Sequence, residues 1–293
     1  MDVIERTISI PGLEIHTVET GEGAPMLLLH GFPQSSRVYA RAMAAMAAMG
    51  GGARLIAVDM RGAGATQVTP GGYDVKSIER DLLGLLDALA LERVMIVAHD
   101  WSAFAAFELC LDHPERVSRL VAIAAPAPYL ELNRELAGAL VKAMKDLWFQ
   151  VVVATPVLGP RLLSRGKQRL TRWILRHFEV QPMRDDDVEA YLALLRDPAR
   201  ARAAGALYRQ LILPGFWNLI AGKYRGRVLR VPTLVLYGAA DDLIPHDALR
   251  VSPDDADDLR IEFVPGGAHY LLDDNPAEVA RLVREFAGLP VTG

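Results

Sequence analysis

The chain has little cysteine and no long apolar run. Its single cysteine, Cys110, excludes an intrachain disulfide, and the apolar surroundings (AFELCLDH) predict a buried position in a helix. The first ten residues, MDVIERTISI, carry acidic side chains and do not resemble a signal peptide. The most prominent uncharged stretch, residues 147–160, contains Gln150 and prolines. It is shorter than the roughly 18 to 20 apolar residues that a membrane span requires. We therefore expect a cytoplasmic protein without a membrane segment.

Neither sign of charge is in large excess. The formal net charge is -4 over 293 residues, which gives no electrostatic reason to expect nucleic acid or an anionic membrane as a partner. Hydrophobic residues make up 51% of the chain and charged residues 23%, so a large core is expected and disorder is not.

Patterns for metal and cofactor binding are also missing. Four histidines show no metal-ligand spacing: His16, His113, His177 and His246. The Gly-x-Gly at Gly62 and Gly64 lacks the third glycine of a dinucleotide-binding fingerprint and is typical of a structural turn. We expect neither a metal nor a cofactor.

Short apolar runs alternate with helical patterns in two parts of the chain, which predicts an α/β fold with a mostly parallel sheet. An antiparallel hairpin, residues 3–10 and 14–19, is expected first, around Pro11-Gly12. The other predicted strands are 26–29, 55–58, 94–97, 120–123, 233–237 and 260–264, and the predicted helices are 38–49, 76–91, 103–111 and 276–286.

The stretch between these two parts has a different character. Residues 127–227 are rich in Leu, Arg and Ala, with helical periodicity and no convincing strand. We interpret them as a helical cap inserted into a core formed by residues 1–126 and 228–293. Because ligands of open α/β sheets bind at the carboxyl ends of the strands, a cap inserted there would cover the site.

The strongest local motif is VMIVAHDWSAF, in which an apolar strand runs through Asp100 directly into a helix. Such a nucleophile elbow needs small residues two positions before and after its central residue, because the two backbones crowd there. Ala98 and Ser102 meet this requirement around Asp100, whereas Phe104 excludes an elbow centred on Ser102. The alternative is that Asp100 merely caps the following helix.

Two later loops supply partners for such a nucleophile. Gly238-Ala239-Ala240-Asp241-Asp242 follows one late strand, and Gly266-Gly267-Ala268-His269 follows the last one. The order nucleophile, acid, histidine is that of hydrolases with this elbow. Asp241 is favoured over Asp242 as the acid by its spacing from Gly238 and Pro245.

Together, His-Asp-Trp at the elbow and His30-Gly31-Phe32-Pro33 after the first parallel strand resemble the aspartate-nucleophile branch of the α/β-hydrolase superfamily, that is, epoxide hydrolases and dehalogenases. The resemblance covers nearly the whole chain and implies an eight-stranded, mostly parallel sheet flanked by helices and carrying the cap. Asp100 would attack a saturated carbon and form an ester, which water activated by His269 and Asp241 then hydrolyses. The backbone N–H groups of Phe32 and Trp101 would form the oxyanion hole.

The resemblance also implies substrate contacts. These are expected from His30, Phe32, Trp101, Trp148 and Tyr208. Tyr208, which is followed by Arg, resembles the second cap tyrosine of epoxide hydrolases, which protonates the epoxide oxygen. At the position of the first cap tyrosine this chain has Lys145, and Tyr129, Tyr191 or Tyr224 could substitute for it.

Epoxide hydrolysis is our first interpretation, with a small hydrophobic organic substrate. Dehalogenation is the alternative, with the indole N–H groups of Trp101 and Trp148 as halide donors. The Trp at 101 stands where fluoroacetate dehalogenases carry Arg, which disfavours a carboxylate substrate. A non-catalytic binder on the same fold is a remote alternative, and a homodimer is left open.

Overall fold

The computed structural model describes residues 2–129, 134–241, 243, 246–249 and 251–290. Eight strands form one sheet: β1 Ile4–Ile10, β2 Leu13–Thr20, β3 Gly23–Leu29, β4 Gly52–Val58, β5 Val94–His99, β6 Val117–Ile123, β7 Thr233–Gly238 and β8 Leu259–Val264. Their order across the sheet is β1-β2-β4-β3-β5-β6-β7-β8. Strand β2 pairs antiparallel with β1 and with β4, and every other pairing is parallel. The predicted eight-stranded, mostly parallel sheet is therefore confirmed.

The helices fall into two groups. Those of the core are α1 Ala40–Ala48, α2 Val75–Ala88, α3 Ser102–Asp112, α10 Leu271–Asp274 and α11 Pro276–Phe286. Those between β6 and β7 are α4 Arg134–Ala154, α5 Leu158–Ser164, α6 Arg169–His177, α7 Asp185–Leu195, α8 Pro198–Leu207 and α9 Leu213–Ile220, with a π-helical segment, Tyr208–Ile212, between α8 and α9. Single 3-10 turns lie at Ser36–Tyr39, Pro114–Arg116 and His246–Leu249.

Both faces of the sheet are covered, and strand β3 shows how. Successive side chains of a strand point to opposite faces. Leu27 and Leu29 enter one core cluster, which also contains residues of α2 and α3. Met26 and Leu28 enter a second cluster with residues of α1 and α11. Because the strand is buried on both faces, its sequence is continuously apolar and does not alternate.

Local sequence signals set the helix ends. The Asp74 carboxylate accepts a hydrogen bond from the Ser77 N–H at 3.0 Å and caps the start of α2. Asn275 caps α11 in the same way, and Pro276 occupies the first position of that helix. Cys110 is buried within α3, as predicted.

The stretch between β6 and β7 is helical and contains no strand in the part that the structure describes. Its helices lie over the carboxyl ends of β5 and β6, since residues from both groups line one pocket. We call these helices, α4 to α9, the cap. The boundaries 127 and 227 stay a prediction.

Candidate active site

The elbow after β5 holds Asp100 in a backbone conformation that is rare for a side-chain-bearing residue, with φ 58°. Asp100 follows His99, the last residue of β5, and α3 begins two residues later at Ser102. The Ser102 hydroxyl donates to the Leu29 carbonyl at 3.0 Å and approaches the His99 carbonyl at 2.8 Å. The small residue predicted at this position therefore also ties the turn to the neighbouring strand.

The loop after β3 approaches the elbow so closely that only glycine fits at Gly31. A Cβ atom there would lie 2.7 Å from the Asp100 Cβ and 2.7 Å from His99 Nδ1. This approach lets the Phe32 N–H donate to Asp100 Oδ2 at 2.9 Å. The Trp101 N–H, the other predicted oxyanion donor, makes no hydrogen bond to Asp100 in the described part of the chain.

His269 faces the other carboxylate oxygen. Its Nε2 lies 3.9 Å from Asp100 Oδ1, and its Nδ1 lies 3.6 Å from Asp241 Oδ2. The loops that carry His269 and Asp241 touch directly, because the Ala240 N–H donates to the Gly267 carbonyl at 3.0 Å. Asp242, the rejected alternative, lies outside the described residues.

The electrostatic environment of His269 favours the protonated form of its ring. Burial lowers the pKa of this ring, but the interaction of its Nδ1 with the Asp241 carboxylate and the negative charges of Asp100 and Asp241 outweigh burial, so the pKa is raised above its ordinary value. A histidine held between two carboxylates can accept a proton from water, and the resulting imidazolium is stabilised.

His99 behaves in the opposite way. Burial and the nearby His269 lower its pKa to about 4, so the ring is neutral at neutral pH. Its Nε2 lies 2.9 Å from the His269 carbonyl oxygen. Since a carbonyl only accepts, the proton of His99 is on Nε2.

A pocket of about 880 Å³, including its open mouth, contains this constellation. Its polar groups are Asp100, Asp241, His269 and Gln150, together with three tyrosines. The rest of the lining is mainly apolar and comes largely from the cap: Leu147, Phe149, Ile174, Phe178, Ile212 and Phe216. A mostly apolar pocket with a few convergent polar groups is typical of a small-molecule site.

Tyr208 projects into this pocket from the π-helical segment of the cap. Such segments are rare and are frequent at functional sites. The ring packs edge-on against Phe32, with 5.0 Å between ring centroids, and lies 6.2 Å from Phe149. Burial and the charge of Asp100 raise the pKa of Tyr208 well above its ordinary value, so its hydroxyl stays protonated and can donate.

Trp148, one of the expected substrate contacts, lies outside the Asp100 pocket. Its side chain is 47% exposed, packs against Trp173 with 5.3 Å between ring centroids, and is not part of the lining of the Asp100 pocket. Its neighbours Leu147, Phe149 and Gln150 line the pocket instead. The helix turns a different face inward from the one we expected.

The side chains of His30 and Trp101 are also placed away from Asp100. Both line a neighbouring cavity, and Phe32 lines this cavity as well as the pocket. His30 is buried and accepts from the Met60 N–H at 3.1 Å, while its Nδ1–H donates to the Gly31 carbonyl at 2.8 Å. These two hydrogen bonds give His30 a structural role in the loop that carries Phe32, and its expected substrate contact stays a prediction.

None of the four candidates for the first cap tyrosine position lines the pocket. Lys145 is exposed, and Tyr129 donates to the Arg227 carbonyl at 2.9 Å. Tyr191 is buried in the same cluster as Tyr270, and Tyr224 interacts with Glu108.

Two pocket tyrosines, Tyr237 and Tyr270, were not among the predicted site residues. Tyr270 could have been predicted as a site residue, because it directly follows His269 in the sequence. Its hydroxyl donates weakly to the Phe32 and Ile174 carbonyls, both at 3.4 Å. Tyr237 lies at the end of β7, just before the Asp241 loop.

Comparison with known proteins places the chain in a family. Residues 24–276 match the family described as the alpha/beta hydrolase fold, so the chain belongs to this family. The chain is 25% identical to Epoxide hydrolase A of Mycobacterium tuberculosis over 321 aligned positions, which cover 96% of each protein. It is 40% identical to Epoxide hydrolase 2 of Siraitia grosvenorii over 124 residues, which are 41% of this chain and only 39% of that protein.

A solved structure gives the same fold. The crystal structure of Cfl2 from Burkholderia cenocepacia superposes with a TM-score of 0.82 and 25% sequence identity, covering 96% of this chain and 95% of the other. The predicted membership of the α/β-hydrolase superfamily is thereby confirmed.

Proposed function

We propose that this protein is an epoxide hydrolase that works through a covalent ester on Asp100. The observation that carries the proposal is the orientation of this one carboxylate. The Phe32 N–H donates a hydrogen bond to Oδ2 at 2.9 Å. The other oxygen, Oδ1, faces His269 and the pocket that Tyr208 lines. The full-length relative from Mycobacterium tuberculosis carries the name epoxide hydrolase, which supports the same reaction.

In the first step, Oδ1 of Asp100 attacks one carbon of the epoxide, and the bond from that carbon to the epoxide oxygen breaks. The released oxygen takes the proton of the Tyr208 hydroxyl. The charge of Asp100 contributes to the raised pKa of Tyr208. Because this charge disappears as the ester forms, Tyr208 becomes a better acid when its proton is needed.

In the second step, His269 takes a proton from water, and the resulting hydroxide attacks the ester carbonyl carbon of Asp100. Negative charge then develops on Oδ2, where the Phe32 N–H already donates. Collapse of this intermediate releases the diol. The two protons that the water brought end on the diol oxygen and on the Tyr208 phenolate, which restores the enzyme.

An aspartate suits this chemistry better than serine. A carboxylate is ionised at neutral pH and needs no base to activate it. Its product with a saturated carbon is an ester, which water can cleave, whereas serine would form a stable ether. Asp241 keeps His269 in the tautomer whose Nε2 faces Asp100 and stabilises the imidazolium.

The substrate we propose is a small hydrophobic epoxide, because the pocket lining away from the catalytic groups is mainly apolar. Dehalogenation is not favoured. The indoles of Trp101 and Trp148, which would bind the halide, both lie outside the lining of the Asp100 pocket.

Intact-protein mass spectrometry tests the mechanism. We expect a His269→Gln variant incubated with styrene oxide to gain the mass of the whole epoxide, because the ester forms and is not hydrolysed. Asp100→Asn is the control and should gain nothing. A bromoalkane should give no adduct. Wild-type turnover of the epoxide without any adduct on the His269→Gln variant would contradict the covalent mechanism, and an alkyl adduct from the bromoalkane would favour a dehalogenase.

A further inference from the structure

The cap helix α4 presents an apolar face to solvent. Four residues at helical spacings of three, four and three lie on this face and are between 47% and 70% exposed: Val141, Met144, Trp148 and Val151. A soluble helix normally turns its apolar stripe toward the core. Here α4 also has an inner apolar side, where Leu147 and Phe149 line the pocket. We call the four exposed residues the α4 face.

Exposed apolar residues continue beyond the helix. Val157, Leu158 and Leu162 are between 40% and 61% exposed. In the described residues no single helix is long and apolar enough to span a membrane. The segments Val141–Ala154 and Leu158–Ser164 reach the required hydropathy only together, and they are bent by 101° at the break between them. Both pack on α8, so they lie on the surface of the cap. Contiguous exposed apolar surface of this kind marks an interaction site.

The same part of the chain is strongly basic. Residues 134–178 contain nine Lys or Arg and two Asp or Glu, whereas the rest of the chain contains 23 and 34. Several of these cations are exposed and have no ion-pair partner in the part of the chain that the structure describes: Lys142, Arg161, Arg165, Lys167 and Arg169. The overall charge of -4 hides this asymmetry.

We propose that the α4 face and the cations beside it dock this protein on the surface of an anionic lipid bilayer. Helices that lie in a membrane interface combine an exposed apolar face, often with tryptophan, and flanking Lys and Arg. Each cation near an anionic surface adds to the attraction. The basic region explains why lipid fits this face better than a second copy of the chain, because a two-fold contact would place the same basic regions against each other.

Docking in this way would direct the cap, and not the core, toward the lipid. Leu147, Phe149 and Gln150 of α4 line the pocket from the inner side of the same helix. Strand β1 is the edge of the sheet and belongs to the α/β part of the chain, outside the cap. Val3 and Ile4, at its start, are exposed apolar residues without a comparable basic region beside them. These residues therefore provide a matched control.

Vesicle flotation of the full-length chain tests the proposal. We expect the protein to float with vesicles of phosphatidylcholine and phosphatidylglycerol and not with phosphatidylcholine alone, and to be released by high salt. The variant Val141→Ser/Met144→Ser/Val151→Ser should weaken partitioning by about tenfold, since it removes apolar surface from the contact. Lys142→Glu and Arg165→Glu should each weaken it by about fivefold or more.

Two control variants change the same chemistry elsewhere. Val3→Ser/Ile4→Ser and Arg93→Glu, which changes an exposed arginine directly before β5, should float like wild type. Circular dichroism should show that all variants are folded. Absence of flotation with the anionic vesicles, or flotation that the α4-face variants leave unchanged, would overturn the proposal. A concentration-dependent dimer that the α4-face triple variant dissociates, without vesicle binding, would also overturn it and assign the face to self-association.

Discussion

His99 donates its Nε2–H to the backbone carbonyl of His269 over 2.9 Å, so the residue before Asp100 is bonded to the histidine that we propose as the general base. The rings of the two histidines lie 5.4 Å apart between centroids. Because the lowered pKa keeps His99 neutral, it can supply this hydrogen bond without placing a second positive charge beside His269. We infer that His99 is a positioning residue that acts through His269.

Replacing His99 tests this relationship. We expect His99→Leu to lower kcat for epoxide hydrolysis by about tenfold with little change in KM, because loss of a buried hydrogen bond costs about 1 to 2 kcal/mol and lets His269 shift. His99→Gln keeps an N–H donor and should recover much of the rate. Steady-state kinetics on samples matched for folded protein make the measurement, and a His99→Leu enzyme with wild-type kcat would exclude the positioning role.

The pH dependence of kcat should show whether Asp241 raises the pKa of His269. His269 accepts a proton from water only when it is neutral, so kcat should rise with pH through its pKa. Asp241 and Asp100 raise this pKa. Asp241→Asn should therefore move the acid limb of the kcat profile to lower pH while reducing the plateau by roughly 10³- to 10⁴-fold, through loss of the correct tautomer.

The exposed carboxylate Asp257 supplies the control for that experiment. Asp257→Asn changes the net charge equally and should leave the profile in place. An acid limb that stays at the wild-type pH in Asp241→Asn would show that Asp241 does not set the pKa of His269.

The elbow was predictable because its constraints are local. Asp100 adopts a positive φ between two crowded backbones, and only small residues fit two positions to either side. That requirement is visible in Ala98 and Ser102. The strands were predictable for a related reason, since burial on both faces leaves a continuous apolar run.

The cap was harder to predict because periodicity identifies a helix without saying which side faces inward. Helix α4 is apolar on two sides, so Trp148 and Phe149 were equally plausible as pocket residues. Packing against α8 and the π-helical segment decides the question, and those contacts are distant in sequence. The net charge is uninformative in a similar way, because a sum over the chain cannot show that residues 134–178 are basic.

Tyr208 is expected to be the acid of the first step. Tyr208→Phe should slow ester formation by about 10²- to 10⁴-fold, since general acid catalysis contributes this much. The variant is best made together with His269→Gln, so that intact mass measured over time reports only the first step. Tyr270→Phe is the comparison, because its hydroxyl is directed at two backbone carbonyls, and it should stay within about threefold. Equal rates for the two variants would remove Tyr208 from the mechanism.

Asp273, in the short helix after His269, links stability to pH. Its side chain is nearly fully buried, and burial raises its pKa to about 6 although Arg41 and Gln34 contact it at 2.8 and 2.7 Å. A carboxyl group whose pKa is raised on folding binds its proton more tightly in the native state. The stability this contributes is present in full below the unfolded pKa and is lost as pH rises through about 6.

The free energy of unfolding of wild type should therefore fall, relative to that of Asp273→Asn, by about 1 to 1.5 kcal/mol between pH ~5 and pH ~8. Urea unfolding of both proteins at the two pH values measures this difference. Asp257→Asn, which removes an exposed carboxylate, should have the same change in the free energy of unfolding between the two pH values as wild type. If the gap between wild type and Asp273→Asn is the same at both pH values, the carboxyl group of Asp273 does not titrate in this range. In that case its contacts with Arg41 and Gln34 outweigh its burial.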